Sequence, residues 1–304
     1  MDRRDFLSAG MAMAAAAGLT ATTDRAAAQG LFGRGRPSLA LALGGGSALG
    51  WAHIGVLKKI DAYGLKPELV VGTSMGSLVG AAYAMGRLDE AEELARSLNL
   101  WDFLPVVGDL SFGGGGVLSG DAAETALRDF FGDVLIEDLP LPFVAVAADL
   151  LTNEEVLIGK GSVVAALRAS ISLPYVFAPV ITDNRVLIDG GMKSPVPAGA
   201  CRAMGARKLV TVDVTGDYSG VTASTPELQP GDAFDAASAQ ITRLAYVMMS
   251  SSIIEAQLAI AKPEVEIVPR LGGHKSFEFT RAAELIALGE EGAEEKRAEL
   301  LALR

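Results

Sequence analysis

The chain is poor in the residues from which metal sites and disulfides are built. Its 304 residues include one cysteine, Cys201, and two histidines, His53 and His274. A single cysteine excludes a disulfide within the chain, and so few Cys and His residues provide no ligand cluster with metal-site spacing. We therefore expect no metal or organic cofactor. Cys201 lies among small residues, and we expect it to be a buried helix residue rather than a reactive thiol.

Basic residues are also scarce. The 26 Lys and Arg stand against 37 Asp and Glu, which gives a formal net charge of −11. This balance disfavours binding to nucleic acid and strong attraction to anionic lipid. Half of the residues are hydrophobic, which is enough for one large core.

Apolar strand patterns alternate with helical patterns along the chain. This alternation predicts an α/β fold, a three-layer α/β/α domain with a central, mostly parallel sheet. One long helical pattern covers 235–261, with Leu244, Met248 and Leu258 on an expected core face, and another covers 278–302. Two irregular segments, Leu110–Gly120 and Gly216–Asp235, are candidate lids.

The first thirty residues differ from the rest. Asp2-Arg3-Arg4-Asp5-Phe6-Leu7 precedes an alanine-rich apolar run, and Ala26-Ala27-Ala28 resembles a cleavage site. A basic segment, a short apolar run and small residues indicate a signal peptide, and paired arginines before x-Phe-Leu are typical of a twin-arginine signal. We predict a twin-arginine signal peptide at 1–28, a linker at 29–37 and one domain at 38–304.

The run Gly72-Thr73-Ser74-Met75-Gly76 lies between an apolar strand pattern and a small-residue helical pattern. Gly-x-Ser-x-Gly at a strand-to-helix turn holds its serine in a strained conformation with the hydroxyl exposed. The helix N-terminus behind it offers N–H groups to a developing oxyanion. The motif predicts Ser74 as a nucleophile, although a turn without a chemical role can carry the same five residues.

A second glycine cluster, Gly44-Gly45-Gly46-Ser47-Ala48-Leu49-Gly50, follows the apolar strand pattern 39–43. A loop of this kind frees several N–H groups to face an anion. A P-loop is excluded because the terminal Gly-Lys-Ser/Thr is missing. A dinucleotide fingerprint needs an acidic residue after the next strand, where Gly72 stands instead. An oxyanion hole remains, and it combines both glycine clusters in one site.

A serine nucleophile needs a base. For His53, in the first turn after the glycine loop, a structural role is favoured. The order Ser74, Asp189, His274 fits an α/β-hydrolase triad, but the glycine loop of that fold lies far upstream of the serine. Asp189 ends an apolar strand before Gly190-Gly191, so a carboxylate acting directly on the serine is the alternative, and an ordinary tight turn also explains Asp-Gly-Gly.

Together these segments resemble the patatin-like phospholipase family over roughly residues 38–215. The glycine loop is similar to that family's oxyanion loop, Gly72–Gly76 to its nucleophile elbow, and Asp189-Gly190-Gly191 to its Asp-Gly-Gly/Ala motif. The resemblance implies a patatin-like fold with Ser74 as the nucleophile and Asp189 as its base. It also implies the motif glycines Gly44, Gly50, Gly72, Gly76, Gly190 and Gly191.

Two positions depart from the family pattern. Leu49 stands where bacterial members often carry Arg or Lys, and Ala148-Asp149 stands where Thr-Asp is common. The missing loop cation weighs against a preference for phosphorylated head groups and leaves the Ser–Asp dyad unaffected.

The resemblance implies a serine acyl hydrolase that cleaves carboxylic esters of lipids, and the predicted signal peptide adds the expectation that it is exported, periplasmic or secreted. The N–H groups of Gly45, Gly46, Ser47 and Met75 would hold the oxyanion. Its expected partners are a lipid or small ester, transiently a membrane, and the twin-arginine export machinery for the precursor. The alternatives are a general carboxylesterase or thioesterase without lipid preference, and a non-catalytic nucleotide-binding module on the same loop.

The paired arginines generate a first testable prediction. Changing Arg3→Lys together with Arg4→Lys should block export, because the signal is read by a receptor and lysine does not replace the planar guanidinium groups. Fractionation of cells expressing the tagged protein checks this, with the wild type as control. Unchanged export of the twin-lysine variant would contradict the signal assignment.

Overall fold

The structure is a computed structural model, and it describes residues 20–22, 35–99, 102, 109, 116–182, 184–217 and 234–304. The side chains of residues 20–22, 116, 117 and 234–246 are outside this description. Most of both candidate lids, residues 110–115 and 218–233, also lies outside the described residues.

Strands and helices alternate as expected. The strands are β1 (Thr20–Thr22), β2 (Leu39–Leu43), β3 (Leu69–Thr73), β4 (Gly116–Leu118), β5 (Phe143–Asp149), β6 (Glu154–Lys160), β7 (Tyr175–Phe177), β8 (Val180–Thr182), β9 (Arg185–Asp189), β10 (Lys208–Val212) and β11 (Val265–Ile267). The helices are α1 (Ala52–Ala62), α2 (Met75–Ala84), α3 (Leu88–Ser97), α4 (Asp121–Phe131), α5 (Val163–Ser170), α6 (Ala198–Ala203), α7 (Phe234–Ala261), α8 (Ala282–Glu295) and α9 (Arg297–Leu301).

The central sheet has the strand order β1-β6-β5-β3-β2-β10-β11, with β9 paired to β5 and β8 to β9. The pairs β5–β3, β3–β2, β2–β10 and β10–β11 are parallel. The pairs β1–β6, β5–β6, β5–β9 and β8–β9 are antiparallel. The mostly parallel α/β architecture predicted from the sequence is confirmed.

Alternate residues of the central strands enter two separate cores. In β2, Leu39, Leu41 and Leu43 pack with α1, α2 and α8 on one face, whereas Ala40 and Ala42 pack with α6 and α7 on the other. Helices therefore cover both faces of the sheet, as a parallel sheet requires. Cys201 is buried in α6, as predicted.

The strand β5 (Phe143–Asp149) is two residues longer than its neighbour β3 (Leu69–Thr73), and this difference positions the site. Thr73, the last residue of β3, pairs with Val146. Further along the same strand, Ala147 pairs with Asp189 of the antiparallel strand β9. Hence β3 and β9 meet end to end along β5, and Ser74 and Asp189 come together where they meet.

Two helix predictions need correction. The pattern 278–302 forms two helices, α8 and α9, that are separated at Lys296. On α7, Leu258 is buried as predicted, but Met248 is 66% exposed. In the described part of this helix, Ile254 and Leu258 face the core while Met248 faces solvent, and the sequence pattern alone did not distinguish the two sides.

The edge strand β1 lies inside the predicted signal peptide. Its three residues, Thr20–Thr22, pair with β6. Cleavage after Ala28 would remove this strand and leave β6 at the edge of the sheet. None of the helices in the described ranges has both the length and the apolar character needed to cross a bilayer.

Close contact between α1 and α8 generates a second prediction. A Cβ atom on Gly289 would overlap the carbonyl oxygen of Ala52, and one on Gly55 would overlap that of Ile286. Gly289→Ala should therefore lower the free energy of unfolding by about 2–3 kcal/mol through overpacking.

Urea unfolding measures this change, with Gly199→Ala as the matched control. Gly199 also lies within a helix, but no atom lies within 4 Å of an added Cβ. Alanine there should leave stability unchanged or raise it by about 0.5–1 kcal/mol. Equal unfolding midpoints for both variants would contradict the close-contact argument.

Candidate active site

Ser74 occupies a sharp turn between β3 and α2. Its backbone angles, φ 53° and ψ −124°, lie in a region that residues other than glycine rarely adopt. The following turn can form because Gly76 has no side chain, since a Cβ there would overlap the carbonyl oxygens of Leu43 and Gly44. The hydroxyl of Ser74 is consequently held at the end of the sheet on a partly exposed residue.

The glycine loop lies directly against the nucleophile. A Cβ on Gly45 would be 3.2 Å from the Cβ of Ser74, and one on Gly50 would overlap the side chain of Met75. The Gly44 N–H donates to the carbonyl oxygen of Val212 at 3.0 Å, which fixes the loop to β10. Both glycine clusters thus form one site, as the sequence indicated.

One expected oxyanion donor is engaged elsewhere. The Gly45 N–H donates to the carbonyl oxygen of Pro195 at 2.9 Å, so it is not available to a substrate in this structure. Within the described part of the chain, the N–H groups of Gly46, Ser47 and Met75 have no hydrogen-bond acceptor. Met75 is the first residue of α2, where the helix itself provides no acceptor for an N–H group.

Asp189 is the acidic group beside the nucleophile. Its side chain is 2% exposed, and its Oδ1 accepts a hydrogen bond from the Gly191 N–H at 2.7 Å. Burial raises the pKa of Asp189 to about 6, and hydrogen bonds from the Ser74 hydroxyl and the Gly191 N–H oppose this rise. The carboxylate is therefore ionised at neutral pH and a stronger base than an exposed aspartate.

Neither histidine contacts this pair. The Nε2 of His53 lies 2.7 Å from the carbonyl oxygen of Gly44, and burial lowers the pKa of this fully buried residue to about 4. His53 is thus a neutral donor that supports the glycine loop. His274 lies beside the carboxylates of Glu278 and Glu284, at 3.9 Å and 3.5 Å.

The remaining motif residues have supporting positions. Gly72 is in β3, and Gly50 is the last buried residue of the 3₁₀ turn Ser47–Trp51. Gly190 and Gly191 begin the 3₁₀ turn that follows β9. Leu49 is 8% exposed and belongs to the same hydrophobic core as Met75. Among the described residues, no three His, Cys, Asp or Glu side chains are grouped so that they could hold a metal ion.

The segment 170–172 belongs to the stretch that resembles the patatin-like family, but the sequence indicated no role for it in the site. The Ser74 N–H donates to the Oγ of Ser170 at 2.9 Å, and the Asp189 N–H donates to the carbonyl oxygen of Ser172 at 2.9 Å. This short segment at the C-terminal end of α5 therefore contacts the backbone of both catalytic candidates. The signal available from the sequence was the family resemblance of residues 169–180, and small polar residues before a proline are also typical of an ordinary loop.

Comparison with known proteins identifies the family. The model of the patatin-like phospholipases matches residues 41–202, more than half of the chain. An NTE-family protein of Mycobacterium tuberculosis, named as uncharacterised, is 40% identical over 188 residues, which are 62% of this chain and 52% of that protein. Patatin-like phospholipase domain-containing protein 6 of Mus musculus is 36% identical over 184 residues, 58% of this chain and 13% of that protein.

Among solved structures, VipD from Legionella pneumophila aligns with a TM-score of 0.46 and 12% identity over 88% of this chain and 67% of that one. The chain spans about half the length of its mycobacterial relative. Three features define the class of protein: the strand β3, the sharp turn at Ser74 and the buried carboxylate of Asp189. It is an α/β protein in which a serine lies beside an acidic residue. Within that class, the chain belongs to the patatin-like phospholipase family.

The pKa of Asp189 generates a third prediction. Protonation of this carboxyl removes its capacity to accept the Ser74 proton, so the reaction of Ser74 with a fluorophosphonate should slow as the pH falls below about 6. The rate should fall about tenfold per pH unit below that value. Labelling measured by mass spectrometry between pH 4.5 and 8 checks this, with Ser74→Ala as the unlabelled control. A flat profile, or a midpoint close to 4, would contradict the assignment of the base.

Proposed function

We propose that this protein is a serine acyl hydrolase that cleaves carboxylic esters of lipids through a Ser74–Asp189 dyad. The observation that carries this proposal is the Ser74 hydroxyl hydrogen-bonded to a buried carboxylate, whose pKa is raised to about 6. Membership of the patatin-like phospholipase family supports a lipid ester as the substrate. The names of relatives such as patatin-like phospholipase domain-containing protein 6 agree with this class.

In the proposed acylation step, the Oγ of Ser74 attacks the ester carbonyl carbon. Asp189 accepts the hydroxyl proton as the new C–O bond forms, and the carbonyl oxygen becomes an oxyanion. The free N–H groups of Gly46, Ser47 and Met75 are the proposed donors to this oxyanion. The tetrahedral intermediate then collapses, and Asp189 returns the proton to the leaving alcohol, which leaves an acyl-Ser74 ester.

In the proposed deacylation step, water attacks the acyl-Ser74 carbonyl. Asp189 accepts a proton from this water and returns it to the Oγ of Ser74, which releases the carboxylic acid. The carboxylate begins and ends the cycle ionised, so the dyad needs no imidazole. Asp189 is one partner in every proton transfer, and the other partner is in turn Ser74, the leaving alcohol or water.

Exposed apolar residues support a lipid as the source of the ester. Leu150 and Leu151 directly follow β5 and are 59% and 61% exposed. Since β5 runs parallel to β3, its carboxyl end lies at the same edge of the sheet as Ser74. Phe277, 60% exposed, adjoins Ser276, whose carbonyl oxygen accepts a hydrogen bond from the Ala48 N–H of the glycine loop. We propose a transient, apolar contact with lipid surfaces at this edge.

We also propose that the protein is exported as a twin-arginine precursor. The support is the sequence of its first 28 residues, with paired arginines at positions 3 and 4. Export places the active protein in the periplasm or outside the cell.

The proposed function generates a fourth prediction. Ser74→Ala and Asp189→Asn should each lower ester hydrolysis by several orders of magnitude, because the first removes the nucleophile and the second removes its base. His274→Ala should remain close to wild type, since its imidazole lies beside Glu278 and Glu284. A p-nitrophenyl ester series of increasing chain length, together with phospholipid and lysophospholipid, measures these activities.

The substrate panel separates the candidate activities. Equal rates on short esters and thioesters, without turnover of lipids, would favour a general carboxylesterase or thioesterase. An inactive His274→Ala variant would contradict the dyad and favour a catalytic triad of Ser74, Asp189 and His274. A Ser74→Ala variant that retains more than about a tenth of wild-type activity would move the nucleophile to another residue.

A further inference from the structure

The sheet contains an irregularity at the nucleophile. Along the parallel pair β3–β5, the Val70 N–H donates to the carbonyl oxygen of Pro142 at 2.9 Å. Bonds of this ladder repeat every two residues, and the register pairs Thr73 with Val146. The third bond of the series would therefore join the Ser74 N–H to the carbonyl oxygen of Val146.

The hydroxyl of Ser170 lies in place of that direct bond. Its Oγ accepts the Ser74 N–H at 2.9 Å and donates its proton to the carbonyl oxygen of Val146 at 2.6 Å. Ser170 is completely buried. A serine hydroxyl has one proton, so the bond to Val146 leaves a lone pair directed at the Ser74 N–H.

We propose that Ser170 is a positioning residue for the nucleophile, an inference that rests on the proposed acyl-hydrolase function. Its hydroxyl is inserted between Ser74 and β5 and so separates the nucleophile from the sheet by one oxygen atom. This separation supports the strained conformation of Ser74, φ 53° and ψ −124°, which an extended strand would not adopt. The Ser170 hydroxyl also accepts the hydrogen bond of the Ser74 N–H. The next N–H group of the turn, that of Met75, is therefore the one available to the oxyanion.

The effect of removing this hydroxyl follows from the same contacts. Ser170→Ala leaves the Ser74 N–H and the Val146 carbonyl buried without their common partner. These two groups can recover a bond by joining directly, which draws Ser74 towards β5 and moves its hydroxyl out of line with Asp189. A misplacement of about 1 Å at a reacting group costs up to about 100-fold in rate.

Ser172 is the matched control. It is also completely buried and lies two residues further along the same segment. Among the described residues its hydroxyl forms hydrogen bonds with Arg168 alone, donating to the backbone carbonyl at 2.8 Å and accepting from Nη1 at 2.6 Å. Its link to Asp189 uses the backbone carbonyl oxygen, which Ser172→Ala retains.

The test compares kcat and KM of the full chain and of the two alanine variants on p-nitrophenyl butyrate. We expect Ser170→Ala to lower kcat by about 10- to 100-fold with KM within about threefold of wild type, because ground-state binding is unaffected. We expect Ser172→Ala to lower kcat by less than about threefold. Fluorophosphonate labelling of Ser74 should slow in parallel with kcat in the Ser170→Ala variant only, and urea unfolding midpoints should fall similarly in both.

Ser170→Cys is the second variant. It keeps an atom with a proton at the γ position and so leaves no cavity, but its thiol is a weak donor and acceptor, so the same loss of kcat is expected in a protein that folds. Equal losses of kcat at positions 170 and 172, or a loss that appears in KM alone, would overturn the positioning role while the dyad stands. Wild-type activity equal to that of Ser74→Ala would overturn both the proposed function and this inference.

Discussion

The site depends on the difference in length between two neighbouring strands. Because β3 ends at Thr73 while β5 continues to Asp149, three residues of β5 are left for β9 to pair with. Two strands that run in opposite directions thus meet along a third, one ending at the serine and the other at Asp189. Backbone hydrogen bonds fix this arrangement, so the distance between Ser74 and Asp189, the proposed nucleophile and base, is set by sheet geometry and not by the reach of long side chains.

A carboxylate that acts without histidine needs an unusual environment. In water an aspartate has a pKa near 4, which makes it a weak base for a serine hydroxyl. Burial of Asp189 raises its pKa to about 6, and the hydrogen bonds from Ser74 and Gly191 keep it ionised at neutral pH. Additional hydrogen bonds to the carboxylate would lower its pKa and so make it a weaker base. Fewer hydrogen bonds would raise its pKa further, and the group would then be protonated at neutral pH. In the proposed dyad Asp189 lies between these two effects, and its pKa is closer to neutral pH than that of an exposed carboxylate.

Features that depend on local sequence patterns could be predicted, whereas hydrogen bonds between residues distant in the sequence could not. Ser74 and Asp189 each lie in a motif with its own strand and turn, so both positions and the parallel sheet were available from the sequence. Gly45 was expected to face the oxyanion, but its acceptor, Pro195, lies 150 positions away, and glycine spacing cannot show which N–H group is already bonded. Ser170 lies in a stretch that resembles the family, but its role was not predictable, because its partners Ser74 and Val146 lie at the end of β3 and within β5, distant in sequence from the end of α5.

The engaged N–H of Gly45 has a structural consequence for catalysis. Pro195 accepts this bond, and the adjacent Ser194 carbonyl oxygen accepts the Thr73 hydroxyl at 2.8 Å. One short segment thereby joins the glycine loop to the end of the strand that carries Ser74. An oxyanion hole stabilises a transition state only if its donors are already oriented before charge develops. A loop of three successive glycines lacks such order by itself, so the bonds at Gly44 and Gly45 are what orient the free N–H groups of Gly46 and Ser47.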